Sequence, residues 1–243
     1  MNEFMLVSGI ALLAAFLTVL GAPAAEYIHV PAHVISGMLQ FAAGVLTALV
    51  AFSLLPPAIT LGPLTAIVTA FFVGGTIFVA FEIFADRRMG QTESTAGARS
   101  LALYFGILMD VTIDGIIIGM TSALTITAGL LLALSVAIST APLAFVTIAA
   151  AKQQGVSKQN RRILTGALFA CLVAGAMVGY LLLRNQSVEI KLVLLAMASG
   201  FLLTTVTQSM IPEARREGRA NSSLFYILGI TLYAALALGA RFV

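Results

Sequence analysis

Residues 106–120 have the sequence GILMDVTIDGIIIGM, an apolar, glycine-rich run that contains two aspartates, Asp110 and Asp114. The 243-residue chain is 60% hydrophobic and 9% charged, with a mean hydropathy of +1.06. Because a soluble domain carries roughly a quarter charged residues, this composition indicates an integral membrane protein. If residues 106–120 cross a bilayer, two carboxylates lie inside it. A functional role would explain why the free-energy cost of burying them is tolerated.

The hydropathy pattern predicts one all-α transmembrane domain, residues 1–243, with eight membrane-spanning helices. A spanning helix needs about 20 mainly apolar residues. Between the fourth and fifth helices, the stretch SALTITAGL (122–130) has few polar residues to separate two spans, so a single broken helix is the alternative there. The eight predicted spans are residues 4–23, 34–57, 62–85, 100–121, 125–150, 163–183, 190–212 and 223–241.

The charge distribution predicts the orientation of these helices. Connections 3–4, 5–6 and 7–8 hold ten Lys and Arg residues, whereas Arg184, Lys191 and Arg241 fall on the other side. The positive-inside rule makes the first side cytoplasmic and places both termini outside. The N-terminus lacks the basic region of a cleaved signal peptide, so we interpret it as the first helix. We expect the protein in the plasma (inner) membrane of a prokaryote.

The residue inventory excludes several other classes of protein. There is one cysteine, Cys171, and there are two histidines, His29 and His33, which fall in the first connection. These residues predict no disulfide framework and no cysteine-based zinc site within one chain. No nucleophile–base pair, phosphate loop or basic nucleic-acid stripe is visible. We therefore expect neither an enzyme nor a resident cofactor nor a nucleic-acid partner.

Two stretches of the chain form an internal repeat. GVLTALVAFSLLPPA (44–58) aligns without gaps to GFLLTTVTQSMIPEA (200–214), with six of fifteen positions identical. These stretches belong to predicted helices two and seven, which run in opposite directions in an eight-helix topology. Inverted repeats are typical of transporters whose binding site lies near the midplane between two halves.

The two aspartates lie at the depth of such a site. Asp110 is eleven residues from Arg99, which is about 16 Å along a helix and close to the middle of the bilayer. Asp114 is four residues further on the same helix face. A charge at that depth costs at least ~2.5–3.5 kcal/mol, and two adjacent carboxylates repel each other unless a cation or proton intervenes. A structural hydrogen bond to a neighbouring helix is the alternative role.

Predicted helix five carries polar residues at the same depth, in SVAISTAPLAF (135–145). Ser139 and Thr140 lie beside Pro142, which removes a helical hydrogen bond and frees a carbonyl oxygen. Freed carbonyls bind cations in many transporters, although Ser and Thr are also common in ordinary helix packing. Gln208 lies inside predicted helix seven and is a further candidate ligand.

At these residues the chain resembles the ZIP family of divalent metal transporters, over most of its length. The shared positions are scaffold residues: Asp114-Gly115 followed by Gly119, then Pro142, and Pro212-Glu213. The resemblance implies eight helices with both termini outside, inverted three-helix repeats around helices 4 and 5, and a homodimer. The metal-ligand positions of the family differ here, since its His, Asn and Glu ligands are replaced by Asp110, Val111, Ser139, Thr140, Leu143, Ser53 and Pro57.

The remaining candidate ligands are oxygen atoms, which suit Mg²⁺, Mn²⁺ or Ca²⁺ better than Zn²⁺. The sequence therefore predicts a transporter of a divalent cation (Mn, Mg or Zn not resolved) in the lipid bilayer. Asp110 and Asp114 would be the principal ligands, completed by Ser139, Thr140 and Gln208. The alternative is a transporter of the same fold for a proton-coupled or organic cationic solute. A subunit without transport activity is a third interpretation, which the paired aspartates disfavour.

Overall fold

The computed structural model describes residues 2–27, 32–89, 96–153, 155–217 and 223–239, and this part of the chain is helical apart from short turns. Outside the described residues lie His29, Arg219, Arg241 and positions 90–95 of the predicted loop 86–100, whose other positions are helical. The α-helices are α1 (Asn2–Val19), α2 (Gly21–Tyr27), α3 (Ala32–Leu49), α4 (Leu55–Leu61), α5 (Leu64–Met89), α6 (Ala96–Ser122), α7 (Ile126–Gln153), α8 (Lys158–Leu183), α9 (Val188–Thr205), α10 (Ile211–Glu217) and α11 (Ser223–Gly239).

Six spans in the described part of the chain are long and apolar enough to cross a membrane. The chain is therefore an all-α protein with the character of an integral membrane protein. Helices α6 and α11, which match predicted spans four and eight, are not among the six, so the count of eight stays a prediction. The six are Glu3–Tyr27, His33–Leu61, Leu64–Phe84, Ile126–Ala149, Lys158–Leu183 and Val188–Arg215.

The ambiguous boundary at residues 122–130 is a turn between two helices. Helix α6 ends at Ser122 and α7 begins at Ile126, with only three residues between them. The amide of Thr125 and that of Leu124 both donate to the carbonyl of Thr121, which closes the turn tightly. The prediction of two separate helices is therefore confirmed, and the broken single helix is wrong.

Two parts of the chain have the same succession of backbone elements. Helices α3 and α9 each continue without a break into a five-residue π-helical segment. We name these segments π1 (Val50–Leu54) and π2 (Val206–Met210). Each is followed by a further α-helix, α4 or α10. The start and the end of π2 lie 156 residues beyond those of π1, the same offset that aligns the two sequence stretches.

Helices α3 and α9 also make corresponding close contacts with other helices. A Cβ atom on Gly44 of α3 would overlap the Tyr226 carbonyl of α11. At the aligned position of α9, a Cβ on Gly200 would overlap the Phe71 carbonyl of α5. Because small residues let two membrane helices approach through their backbones, these glycines set the spacing of both pairs. Helices α3 and α9 therefore correspond in their packing as well as in their local backbone geometry.

Helix α6, which carries the aspartates, is held on one side by α8. Gly115 and Gly119 of α6 face Gly175 and Gly179 of α8, and a Cβ on any of the four would overlap a carbonyl of the opposite helix. Both helices thus carry a pair of glycines four residues apart, a spacing typical of close helix pairs in membranes. A different face of α6 packs against α7, which brings the Asp114 side chain next to that helix.

Candidate functional site

Asp110 and Asp114 lie inside the helix bundle. They are one turn apart on α6, and their exposed fractions are 6% and 1%. Neighbouring side chains of α6, such as Val111, belong to a buried apolar cluster to which α7 and α8 also contribute. The sequence prediction of two buried carboxylates on one helix face agrees with this arrangement.

Thr140 of α7 contacts the second aspartate directly. Its hydroxyl lies 3.2 Å from Oδ2 of Asp114 and 2.6 Å from the carbonyl oxygen of Val136. Both oxygens are acceptors, so the single hydroxyl proton is shared between them. Thr140 is 2% exposed, and the hydrogen bond therefore lies in the protein interior.

Ser139 and Pro142 add oxygen atoms to the same part of α7. Ser139 is buried, and its hydroxyl donates to the Val136 carbonyl at 2.8 Å, which leaves the lone pairs of its oxygen available. Pro142 lies inside α7 and has no N–H, so the carbonyl oxygen of Ile138 lacks its usual helical donor. The predicted freed carbonyl is therefore only one residue before Ser139.

Each carboxylate also has an oxygen without a partner. Oδ1 of Asp110 and Oδ1 of Asp114 are both buried and make no hydrogen bond. Buried polar atoms in folded proteins are almost always paired, because an unpaired one loses its hydration without compensation. Both unpaired acceptors belong to neighbouring carboxylates, so a proton, a water or a cation bound there would supply the partner that each lacks.

Gln208, the fifth predicted ligand, lies elsewhere. It is in π2 and is exposed, whereas Asp110, Asp114, Ser139 and Thr140 are all buried. The structure therefore brings four of the five predicted residues into one interior region. Among the described residues, no group of three or more His, Cys, Asp or Glu side chains could hold a metal ion together.

Sequence reasoning treated the charged residues near the connections as topology markers and missed their contacts. Arg161 forms a two-pronged pair with Glu26, with distances of 2.7 Å from Nε to Oε1 and 2.8 Å from Nη2 to Oε2. Lys152 donates to the Glu26 carbonyl at 2.6 Å. These bonds join the end of α2 to α7 and α8. The connection between the first and second predicted spans and the connection between the fifth and sixth therefore lie at the same end of the bundle.

Two further buried residues were also missed. Lys191 of α9 is 5% exposed, and its ammonium donates to the Ala123 carbonyl at 3.0 Å, next to the end of α6. A cation there complements the negative end of the α6 dipole. Thr18 of α1 is fully buried, and its hydroxyl has no hydrogen-bond partner. Threonine is ordinary in an apolar helix, so nothing in the sequence distinguishes Thr18.

No family model matches this chain, and no curated protein is significantly similar to it.

Proposed function

We propose that this protein is a membrane transporter of a divalent cation, similar in fold to the ZIP family, with its binding site between α6 and α7. The observation that carries the proposal is the pair of buried Oδ1 atoms on Asp110 and Asp114, neither of which has a partner. The cation is the substrate of the proposed transport, and a bound cation would supply both oxygens with an electrostatic partner.

The surrounding atoms support a hard cation. Thr140 contacts Asp114, and the hydroxyl of Ser139 and the freed carbonyl of Ile138 belong to the same turn of α7 as Thr140. Carboxylate, hydroxyl and carbonyl oxygens are the ligands of Mg²⁺ and Mn²⁺, whereas imidazole and thiolate favour Zn²⁺. Mg²⁺ also keeps several waters when bound, so two carboxylates are a sufficient protein contribution.

The matching elements on either side of α6 and α7 support a transporter built from two halves. In this proposal, α3 with π1 and α4 is the counterpart of α9 with π2 and α10, and the two sets are inverted relative to each other. The shared offset of 156 residues and the corresponding crossings at Gly44 and Gly200 support this equivalence. Rocking of the repeats around a midplane site is the usual transport mode of such folds.

A proton-coupled or organic cationic substrate is the second candidate. It is favoured by the small number of ligating side chains, since the described residues contain no cluster of three metal-binding groups. A buried carboxylate pair can hold one proton between its members or pair with an organic cation without further ligands. In that case Asp110 and Asp114 are the proton acceptor and the counter-ion.

Equilibrium binding to the purified protein distinguishes the two candidates. We expect saturable binding of Mn²⁺ or Mg²⁺ that is lost in Asp110→Asn and Asp114→Asn, with a density or anomalous-scattering peak between α6 and α7 in Mn²⁺-soaked crystals. Zn²⁺ should show less advantage over Mn²⁺ than the general affinity order of divalent ions provides. Substantially tighter Zn²⁺ binding would contradict a hard-cation site.

The control for this experiment is Glu189→Gln, which removes an exposed carboxylate from the first turn of α9. It should bind cations as the parent protein does. If neither the parent nor the control binds a divalent cation, while proteoliposomes take up protons or an organic cation in a manner that depends on Asp110 and Asp114, the second candidate replaces the first.

A further inference from the structure

The π1 segment contains a main-chain carbonyl oxygen that has neither of its helical partners. In an α-helix the Ala51 oxygen would accept from the N–H of Leu55. That N–H donates instead to Val50, in the five-residue register of a π-helix. The residue five positions after Ala51 is Pro56, which has no N–H. The Ala51 oxygen is therefore without an α-helical or a π-helical donor.

The same arrangement occurs in π2. The N–H of Ile211 donates to the Val206 carbonyl, so it is not available to the oxygen of Thr207. The residue five positions after Thr207 is Pro212, again without an N–H. Thr207 is aligned with Ala51 at the offset of 156 residues. Two equivalent positions thus carry the same free carbonyl for the same reason.

Both positions are far from the ends of their spans. Ala51 belongs to the span His33–Leu61 and Thr207 to the span Val188–Arg215. The nearer end is eight residues or more away in each case, which is about 12 Å of helix. Both residues are also exposed on the surface of the bundle. With each span placed across a bilayer, the two carbonyls lie at the depth of its hydrocarbon core.

A free carbonyl at that depth is not compatible with contact to lipid. The bilayer core has no hydrogen-bond donors, and each unsatisfied main-chain group costs several kcal/mol there, so irregular backbone occurs where it is buried or lines a water-filled cavity. We infer that the carbonyl oxygens of Ala51 and Thr207 are two equivalent acceptor sites for water or a hydrated cation, in a water-filled space open to solution.

The side chains of π2 support the same conclusion independently. Thr207 and Gln208 are both exposed, and a glutamine amide is rarely turned toward lipid because its four hydrogen-bonding positions would be unfilled. The exposed face of α5 is different in kind, since it presents Val68, Phe72 and Ile77, with exposed fractions of 60%, 73% and 47%. We therefore assign the α5 face to lipid and the exposed face of π2 to water.

In π1 the exposed side chains are apolar, but a second backbone carbonyl also lacks a hydrogen-bond donor. The Phe52 oxygen would accept from residue 56 in an α-helix and from residue 57 in a π-helix, and both are proline. This inference rests on main-chain hydrogen bonding, so it holds whether the transported solute is a metal ion, a proton or an organic cation. A failure of the aspartate variants to change cation binding would leave it untouched.

Thiol accessibility tests the inference directly. In a Cys171→Ala background, Ala51→Cys and Thr207→Cys retain the carbonyls under test and add a thiol beside each. The full-length variants in proteoliposomes are treated with a small cationic methanethiosulfonate. Because the thiolate is the reactive form and apolar surroundings suppress it, we expect both to react at least about tenfold faster than lipid-facing controls. The controls are Phe72→Cys in α5 and Phe16→Cys in α1, which are 73% and 57% exposed near the middle of their spans.

Reaction of Ala51→Cys and Thr207→Cys at the control rate would overturn the inference, because it would show that both faces contact lipid. Disulfides formed between two copies of the chain on mild oxidation, in place of rapid labelling, would also overturn it and assign these faces to an interface. If either cysteine prevents folding, the neighbouring exposed positions are used, as Phe52→Cys and Gln208→Cys. Rapid labelling at the replacement position supports the inference in the same way.

Discussion

The hydroxyl of Thr140 in α7 lies 3.2 Å from Oδ2 of Asp114 in α6, while Oδ1 of the same carboxylate is buried without a partner. One oxygen is thus held by the protein and the other is free. The hydrogen bond from Thr140 orients the plane of the carboxylate so that Oδ1 keeps its lone pairs for another partner.

Replacement of either aspartate by asparagine should separate cation binding from stability. Asp110→Asn and Asp114→Asn keep the side-chain shape and remove a charge that costs about 2.5–3.5 kcal/mol at mid-membrane depth. We expect cation affinity to fall about tenfold or more, while the melting temperature stays the same or rises. Isothermal titration and a thermal unfolding assay on the same preparations provide both values. A double variant that transports at the normal rate would end the ligand hypothesis.

Thr140→Val should weaken binding and stability together. The change leaves Oδ2 of Asp114 without its donor, and an unsatisfied buried acceptor costs about 1–3 kcal/mol. Thr140→Ser keeps the hydroxyl and should restore most of both losses. Thr147→Val is the matched control, since Thr147 is equally buried in α7 and donates only to the Leu143 carbonyl at 2.7 Å. Equal effects of the two valine variants on cation affinity would contradict a role for the Thr140–Asp114 bond.

The matching helix crossings at Gly44 and Gly200 predict that alanine at either position lowers the free energy of unfolding by a similar amount. Gly44→Ala and Gly200→Ala place a methyl group against a carbonyl of the neighbouring helix, and such overpacking costs about 1–3 kcal/mol. Gly166→Ala in α8 meets nothing within 4 Å and should instead stabilise the protein by up to about 1 kcal/mol through helix propensity. Unfolding in detergent measures all three. Tolerance of alanine at Gly200 but not at Gly44 would contradict the equivalence of the two crossings.

The ion pair between Glu26 and Arg161 should stabilise the folded protein modestly, and its contribution should depend on salt. Both side chains are partly exposed, at 19% and 11%, so we expect a coupling free energy of about 1 kcal/mol from a double-mutant cycle of Glu26→Gln and Arg161→Gln. The coupling should decrease as ionic strength rises. Arg162→Gln, at the exposed neighbouring position, is the control and should be additive with Glu26→Gln. Additivity of Arg161→Gln and Glu26→Gln would show that the pair contributes nothing.

The predicted orientation can be tested with single cysteines. In the Cys171→Ala background, Lys158→Cys and Arg216→Cys should react with an impermeant thiol reagent only from the cytoplasm, because the basic connections are expected there. Arg184→Cys, in the turn between α8 and α9, should react only from the outside. Labelling of either of the first two from outside would remove the eight-helix topology and, with it, the inverted arrangement of the repeats.

The positions of the described helices and the burial of the aspartates could be predicted from the sequence alone. Long apolar runs bounded by charged loops are local features, and the bilayer thickness converts them into spans. The buried pair Asp110 and Asp114 followed from their spacing on one helix. The repeat between helices two and seven was visible as six shared residues, and the backbone of α3 and α9 reproduces its offset.

Tertiary structure alone decided which side of each helix is buried. In a membrane helix the face toward lipid and the face toward protein are both apolar, so hydropathy does not separate them as it does in a soluble helix. Gln208 could not be distinguished from an interior ligand for this reason, and it is exposed on π2. The contacts of Arg161 with Glu26 and of Lys191 with Ala123 join residues far apart in the chain. Only the packing of the helices brings such residues within hydrogen-bonding distance, and no local sequence pattern encodes that packing.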